Sequence, residues 1–208
     1  FGTMFKRLPA YAPSDDLLKG LAQTMVEPPP PLPDPDPFAA TSSRLFAGFT
    51  FIGQFIDHDI TFDPASSLER QNDPDALTNF RSPRFDLDCV YGRGPVDDPF
   101  IYDKASGGQK LLVGHHDDED DLPRNTQDTA LIGDPRNDEN TFVSQLQLTM
   151  LKFHNKVVDL VVADPGLLRG SENTFEAAQR VVRWHYQWLV VHDFLRRVVG
   201  EQMLAEVL

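Results

Sequence analysis

The sequence predicts a mainly α-helical fold, and three observations carry that expectation. Residues 134–162 place Val143, Leu146, Met150, Phe153, Val157 and Leu160 three and four positions apart, the period of an amphipathic helix. Residues 174–200 read as a second long helix, almost apolar around Trp188 and so expected to be buried. No run alternates in the manner of a strand ladder, and no segment repeats.

In chain order, residues 1–46 read as an N-terminal arm. Its "EPPPPLPDPDP" (27–37) favours an extended polyproline II arm or linker over a packed element. Residues 47–60 can form a short helix. Residues 63–138 are dominated by turn and breaker signals ("NDPDA", "YGRGPVDDP", "SGGQ", "HHDDEDDLP"), and so long an irregular region is often functional. "HHDDEDDLP" itself reads as a solvated loop. Asp134 is placed to cap the first long helix with Pro135 at its first position, and "ADPG" ends it. The chain begins at Phe1 and ends on "RRVVGEQMLAEVL", an apolar helix-like pattern without a cap. The expectation is a fragment or one chain of a cleaved protein, with residues 47–208 as a helical domain incomplete at its C-terminus.

Composition narrows the function. An apolar fraction of 40% and fifteen phenylalanines indicate a packed core within 208 residues. Nineteen basic against thirty-two acidic residues give a net charge of −13, which argues against nucleic acid or anionic membrane as partner and suits cations. A single cysteine, Cys89, excludes an intrachain disulfide framework and a thiolate metal cluster. No apolar run is long enough for a membrane span.

Three stretches carry candidate chemistry. In "GQFIDHDITFD" (53–63), Asp57, His58 and Asp59 interrupt an apolar run, and three adjacent ionisable groups are costly to bury without partners. On a helix, Gln54 and His58 share a face that Asp57 flanks, while Asp59 lies about 200° from Asp57 at about 100° per residue. His58 is then either a core histidine held by an acid or an acid, base or ligand near neutral pH. Zinc finds no HxxxH or HxH pairing to support it. The second stretch opens the first long helix: Arg136 stands in the first turn, where the helix dipole disfavours a cation. It either pairs with Asp138 or Glu139 on the surface or aims its charge at something anionic. The third is "SPRFDLDCVYG" (82–92), where Ser82, Asp86 and Asp88 offer closely spaced oxygens of the kind calcium takes, outside any EF-hand pattern. A solvated acidic turn is the alternative.

Taken together and in this order, "GQFIDHDITFD", "SPRFDLDCVYGRGP", "LIGDPRNDENTFVSQLQLTMLKFHNKVVD" and "QWLVVHDFLRRVVG" resemble the animal-type haem peroxidases of the peroxidase–cyclooxygenase superfamily, most closely its bacterial branch. The resemblance covers most of residues 47–200 and implies a helical peroxidase fold with haem b and Ca2+. It implies that His58 is the distal histidine that moves the peroxide proton, Arg136 the distal arginine and Gln54 a distal-pocket glutamine. Asp57 and Glu139 match the acids that form ester bonds to haem methyl groups. Asp59, Ser82, Arg84 (through its carbonyl), Asp86 and Asp88 match the calcium ligands. The implied substrates are hydrogen peroxide and a small organic or halide donor, and a secreted or extracytoplasmic setting is slightly favoured.

Two departures bear on those expectations. Asn140 follows Glu139 where mammalian members with a sulfonium link have methionine, so that third bond is expected to be absent. The proximal histidine of the family lies well C-terminal of the matching stretches, and none of His115, His116, His154, His185 and His192 is assigned to it; His154 matches a packing position. The chain is therefore expected to hold the distal half of a haem site, with the proximal histidine on residues outside it or on a second polypeptide. A fatty-acid dioxygenase of the same superfamily, or a truncated non-catalytic calcium-binding relative, are the alternatives.

Overall fold

A computed structural model describes residues 8–9, 12–26, 45–64, 78–116 and 118–208. The chain divides into two compact units, residues 1–45 and 46–208. The Pro-rich stretch 27–37 and the "NDPDA" turn lie outside the described residues. In the first unit, helix α1 (Asp15–Met25) is capped by Ser14, whose side chain accepts from the Leu17 amide, and Asp15 and Asp16 complement the dipole in its first turn.

The second unit is mainly helical, as the sequence predicts. Helix α2 (Gly48–Ile60) carries the DHD stretch, with Phe55, Ile56, His58 and Asp59 buried. A single turn, α3 (Asp88–Tyr91), buries Cys89, Val90 and Tyr91. The acidic "HHDDEDD" stretch is a small hairpin, β1 (Gly114–His116) with β2 (Glu119–Asp121), and not a plain loop; its side chains stay largely exposed.

The first long helix is broken where one was expected. Asp134 caps and Pro135 opens, but only a 3-10 turn follows (Pro135–Asp138). Asn140 then starts a new helix, α4 (Thr141–Ala163), by accepting from the Phe142 and Val143 amides. Two capping residues six apart compete, and each starts its own element. The buried face of α4 also differs from the predicted stripe. Val143 and Val157 are buried, while Leu146, Met150 and Phe153 only pack against the core's edge and Leu160 is exposed. Ser144, Gln147 and His154 sit inside instead.

Helix α5 (Thr174–Leu189) starts on a full capping box, Asn173 with Glu176. A π-helical stretch (Val190–Leu195), α6 (Arg196–Val199) and α7 (Glu201–Val207) follow. The expected burial around Trp188 is corrected: Trp184 and Trp188 are exposed, and α5 buries Ala177, Ala178, Val182 and Tyr186 instead. Small residues at that spacing let α5 lie close on α4, which is the main helix pair of the unit. The aromatic cluster Tyr91, Tyr102, His154 and Phe175 packs edge to face beneath them.

Candidate functional site

One helical turn of α2 sends its three ionisable groups to different surroundings. Asp57 is exposed, whereas His58 and Asp59 are buried. His58 Nδ1 stands 2.8 Å from Asn137 Oδ1, and Asn137 Nδ2 donates to Gln147 Oε1 at 2.9 Å. Nε2 of His58 takes no described partner. Gln54, one turn earlier, donates to Glu139 and meets Asn140 Nδ2 at 3.4 Å. Phe51 stacks on the exposed Phe142 at 4.4 Å beside them. His58, Gln54 and Glu139 therefore gather where α2 meets the segment before α4, with Asp57 exposed on the same turn of α2.

Arg136 joins this group through the backbone, not through the imidazole. Its Nη2 donates to the carbonyls of His58 (3.1 Å) and Thr61 at the C-terminal end of α2, where the dipole welcomes a cation. Its expected surface pairing with Asp138 or Glu139 is not found, because Asp138 is taken by Arg124 in a two-pronged pair. Arg136 pairs instead with Asp134, through Nε at 3.0 Å and Nη2 at 2.8 Å. Burial alone would raise the Asp134 carboxyl. The hydrogen bonds from Arg136 and Arg81 reverse that and hold it below its ordinary value. Arg81 and Arg136 lie over the Phe62 ring, at 4.9 and 5.0 Å from its centroid.

Asp59 turns into an acidic cluster. Ligand oxygens of Asp59, Asp86 and Asp88 all lie within 4.8 Å of one another. Both Asp59 oxygens, Asp86 Oδ1 and Asp88 Oδ1 are buried without a hydrogen-bond partner. Burial, with the charges of Asp88 and Asp86, pushes the Asp59 carboxyl up to about 7; the nearby Leu87 amide and Cys89 thiol offset part of this without reaching hydrogen-bond geometry. Such a set fits a hard cation with oxygen ligands. The loop is shaped for it by Leu87, a buried residue at φ 60, a conformation that costs a branched side chain about 1–2 kcal/mol and turns Asp86 and Asp88 to the same side. The Ser82 amide donates to Asp88 Oδ2 at 3.2 Å, so Ser82 borders the cluster, while the Arg84 side chain is exposed.

Sequence reasoning missed Arg81, Asn137, Gln147 and the pairing role of Asp134. Arg81 directly precedes the acidic loop, and Asn137 directly follows Arg136, but only the fold shows what they meet. Gly133 was equally silent: a Cβ there would come within 2.5 Å of the Cys89 carbonyl oxygen, so glycine permits the close approach of the acidic loop to the Asp134 turn.

The remaining histidines lie elsewhere. His154 spends both ring nitrogens, on Tyr91 (3.0 Å) and the Gln109 carbonyl (2.9 Å), as a packing residue does. His115 pairs with Asp120, His185 bonds the Val181 carbonyl, and His192 lies against Trp188. Among the described residues, no hydrogen bond or ring contact joins His115, His154, His185 or His192 to His58.

The domain is mainly helical, with an acid-flanked histidine on α2 and Arg136 on the 3-10 turn that precedes α4. The family model for animal haem peroxidases matches residues 102–207, about half of the chain, and the chain belongs to that family. Membership implies haem and peroxidase-type chemistry, without separating branches. Arg136 and Glu139 fall inside the matched segment; Gln54 to Asp88 precede it. No curated protein matches the chain. Among the described residues, no helix is long and apolar enough to cross a membrane.

Proposed function

We propose that this chain carries the distal half of a haem peroxidase site, which reduces hydrogen peroxide and oxidises a small organic or halide donor. The observation that carries the reading is His58. It is buried, with Nδ1 occupied and Nε2 without a partner among the described residues, whereas the structural histidine of the same core, His154, uses both nitrogens. A core histidine with one nitrogen left over is available for proton transfer.

The residues present suit the distal side of a haem: exposed carboxylates at Asp57 and Glu139 would hold its edge, by ester links if they form, and Gln54, which donates to Glu139, would order water or a small anion. Bound haem supplies the redox centre that gives two electrons to peroxide and takes them back singly from the donor. His58 Nε2 accepts the peroxide proton and returns it to the leaving oxygen. Arg136, whose Nη1 has no described partner, contributes fixed positive charge where negative charge develops. Asp59, Asp86 and Asp88, with Ser82 and the Arg84 carbonyl completing the set, would hold calcium and so fix the residue next to His58. The proximal imidazole comes from outside this chain, on further residues or a second polypeptide.

The test is the rate of peroxide reaction of the haem-bound protein and its His58→Ala variant. The variant is expected to react about 10²–10⁴-fold more slowly with its helical content intact. An unchanged rate contradicts the role of His58. Cation binding without any haem binding supports the calcium-binding relative, and oxygen uptake with a fatty acid supports the dioxygenase.

A further inference from the structure

We propose that Asn137, held by Gln147, is a positioning residue that fixes the proton of neutral His58 on Nδ1; the inference rests on the proposed role of His58. Asn137 and Gln147 are both fully buried, on the 3-10 turn and on α4 respectively. The turn anchors Asn137 by its own backbone, whose N–H donates to the Asp134 carbonyl at 3.1 Å.

A side-chain amide has one accepting and one donating end. With Asn137 Nδ2 donating to Gln147 Oε1 at 2.9 Å, it is Oδ1 that meets His58 Nδ1 at 2.8 Å. In this orientation the amide oxygen accepts, so Nδ1 carries the hydrogen. A neutral imidazole has one N–H, and Nε2 is then left with its lone pair, as a base for peroxide requires. The opposite orientation of both amides would put an N–H against Nδ1, move the proton to Nε2 and remove the base. It would also exchange the buried unpartnered group of Gln147 from Nε2 to Oε1. Arg136 and Asn137 thus act in succession on one residue, the first on its carbonyl and the second on its ring.

The test uses the 15N-labelled, haem-free protein that contains this chain and the ring nitrogen signals of His58 in its neutral form. The expected result is a protonated, pyrrole-type Nδ1 and an unprotonated, pyridine-type Nε2. The reverse pattern, or an average of the two, overturns the proposal. Asn137→Asp, which keeps an acceptor, should preserve the pattern, and Asn137→Leu should lose it. A leucine variant that folds and keeps it also overturns the proposal. If neither variant folds, the wild-type spectrum decides alone. In haem-bound protein the leucine variant should slow the peroxide reaction and the aspartate variant should restore it. A chain with Nδ1–H that never binds haem leaves the geometric assignment standing and fails the peroxidase reading. An active peroxidase with Nε2–H does the opposite.

Discussion

Arg81 Nη2 lies 2.6 Å from Asp134 Oδ2 while its Nε lies 3.7 Å from Asp88 Oδ1. One guanidinium thereby links the carboxyl that holds Arg136 to a carboxyl of the acidic cluster. The chain Asp88–Arg81–Asp134–Arg136–His58 runs from the cation cluster to the backbone of the distal histidine, with Phe62 packed under both arginines.

Removing Arg81 tests that link. Asp134 is fully buried and, among the described residues, would keep Arg136 as its one cationic partner, so Arg81→Met is expected to cost about 2–4 kcal/mol. Urea unfolding measures it. A midpoint equal to that of the unchanged protein would contradict the link.

The acidic cluster makes a second prediction, with a sign. The folded carboxyl of Asp59 titrates near 7 and the unfolded one near 3.8, so without cation the folded state holds the extra proton between those values. Its contribution to stability is full below the unfolded value and is lost as pH rises through the folded one. The melting temperature of chelator-treated protein should therefore gain from this group at pH 5 relative to pH 8, and Asp59→Asn should remove that gain. Calcium favours the ionised carboxylates and should raise the melting temperature most at pH 8; at a hundredfold excess over its dissociation constant the added stability is about 2.7 kcal/mol. No calcium response at either pH would count against the cation site.

His154 makes the opposite contribution over an overlapping range. Burial lowers its pKa from 6.5 to about 4, with the Gln109 carbonyl opposing, so it stays neutral in the fold. The unfolded chain takes up its proton first as pH falls, and the stability His154 contributes above 6.5 is lost progressively toward 4. Acid unfolding of His154→Gln should lack this component of the slope, while losing about 1–3 kcal/mol at neutral pH from the broken Tyr91 and Gln109 contacts. Equal acid slopes in the two proteins would refute it.

Much of this was legible in the sequence, for reasons that particular residues make plain. Local signals worked in part: the apolar run of α2 marks its helix, and Asp134 with Pro135 opens an element, though only a 3-10 turn, because caps and short helical periods are set by neighbours in the chain. The acidic triad Asp59, Asp86 and Asp88 was expected from the family's motif and is brought together. What failed was periodicity read on apolar residues alone. It missed Gln147, whose Oε1 accepts from Asn137, and His154, which Tyr91 bonds across the fold, and it buried Leu160 and Trp188, which the fold leaves exposed. Leu87 at positive φ and the backbone anchoring of Arg136 have no sequence signature, since each depends on a partner dozens of residues away.

The most direct test of the central claim is an absorption spectrum of the protein purified from its native source, with an intact mass of the same sample. The account predicts a Soret band together with mass beyond these 208 residues or a second polypeptide supplying the proximal imidazole. A protein that contains this chain and shows no Soret band, alone or after incubation with haem, would contradict it.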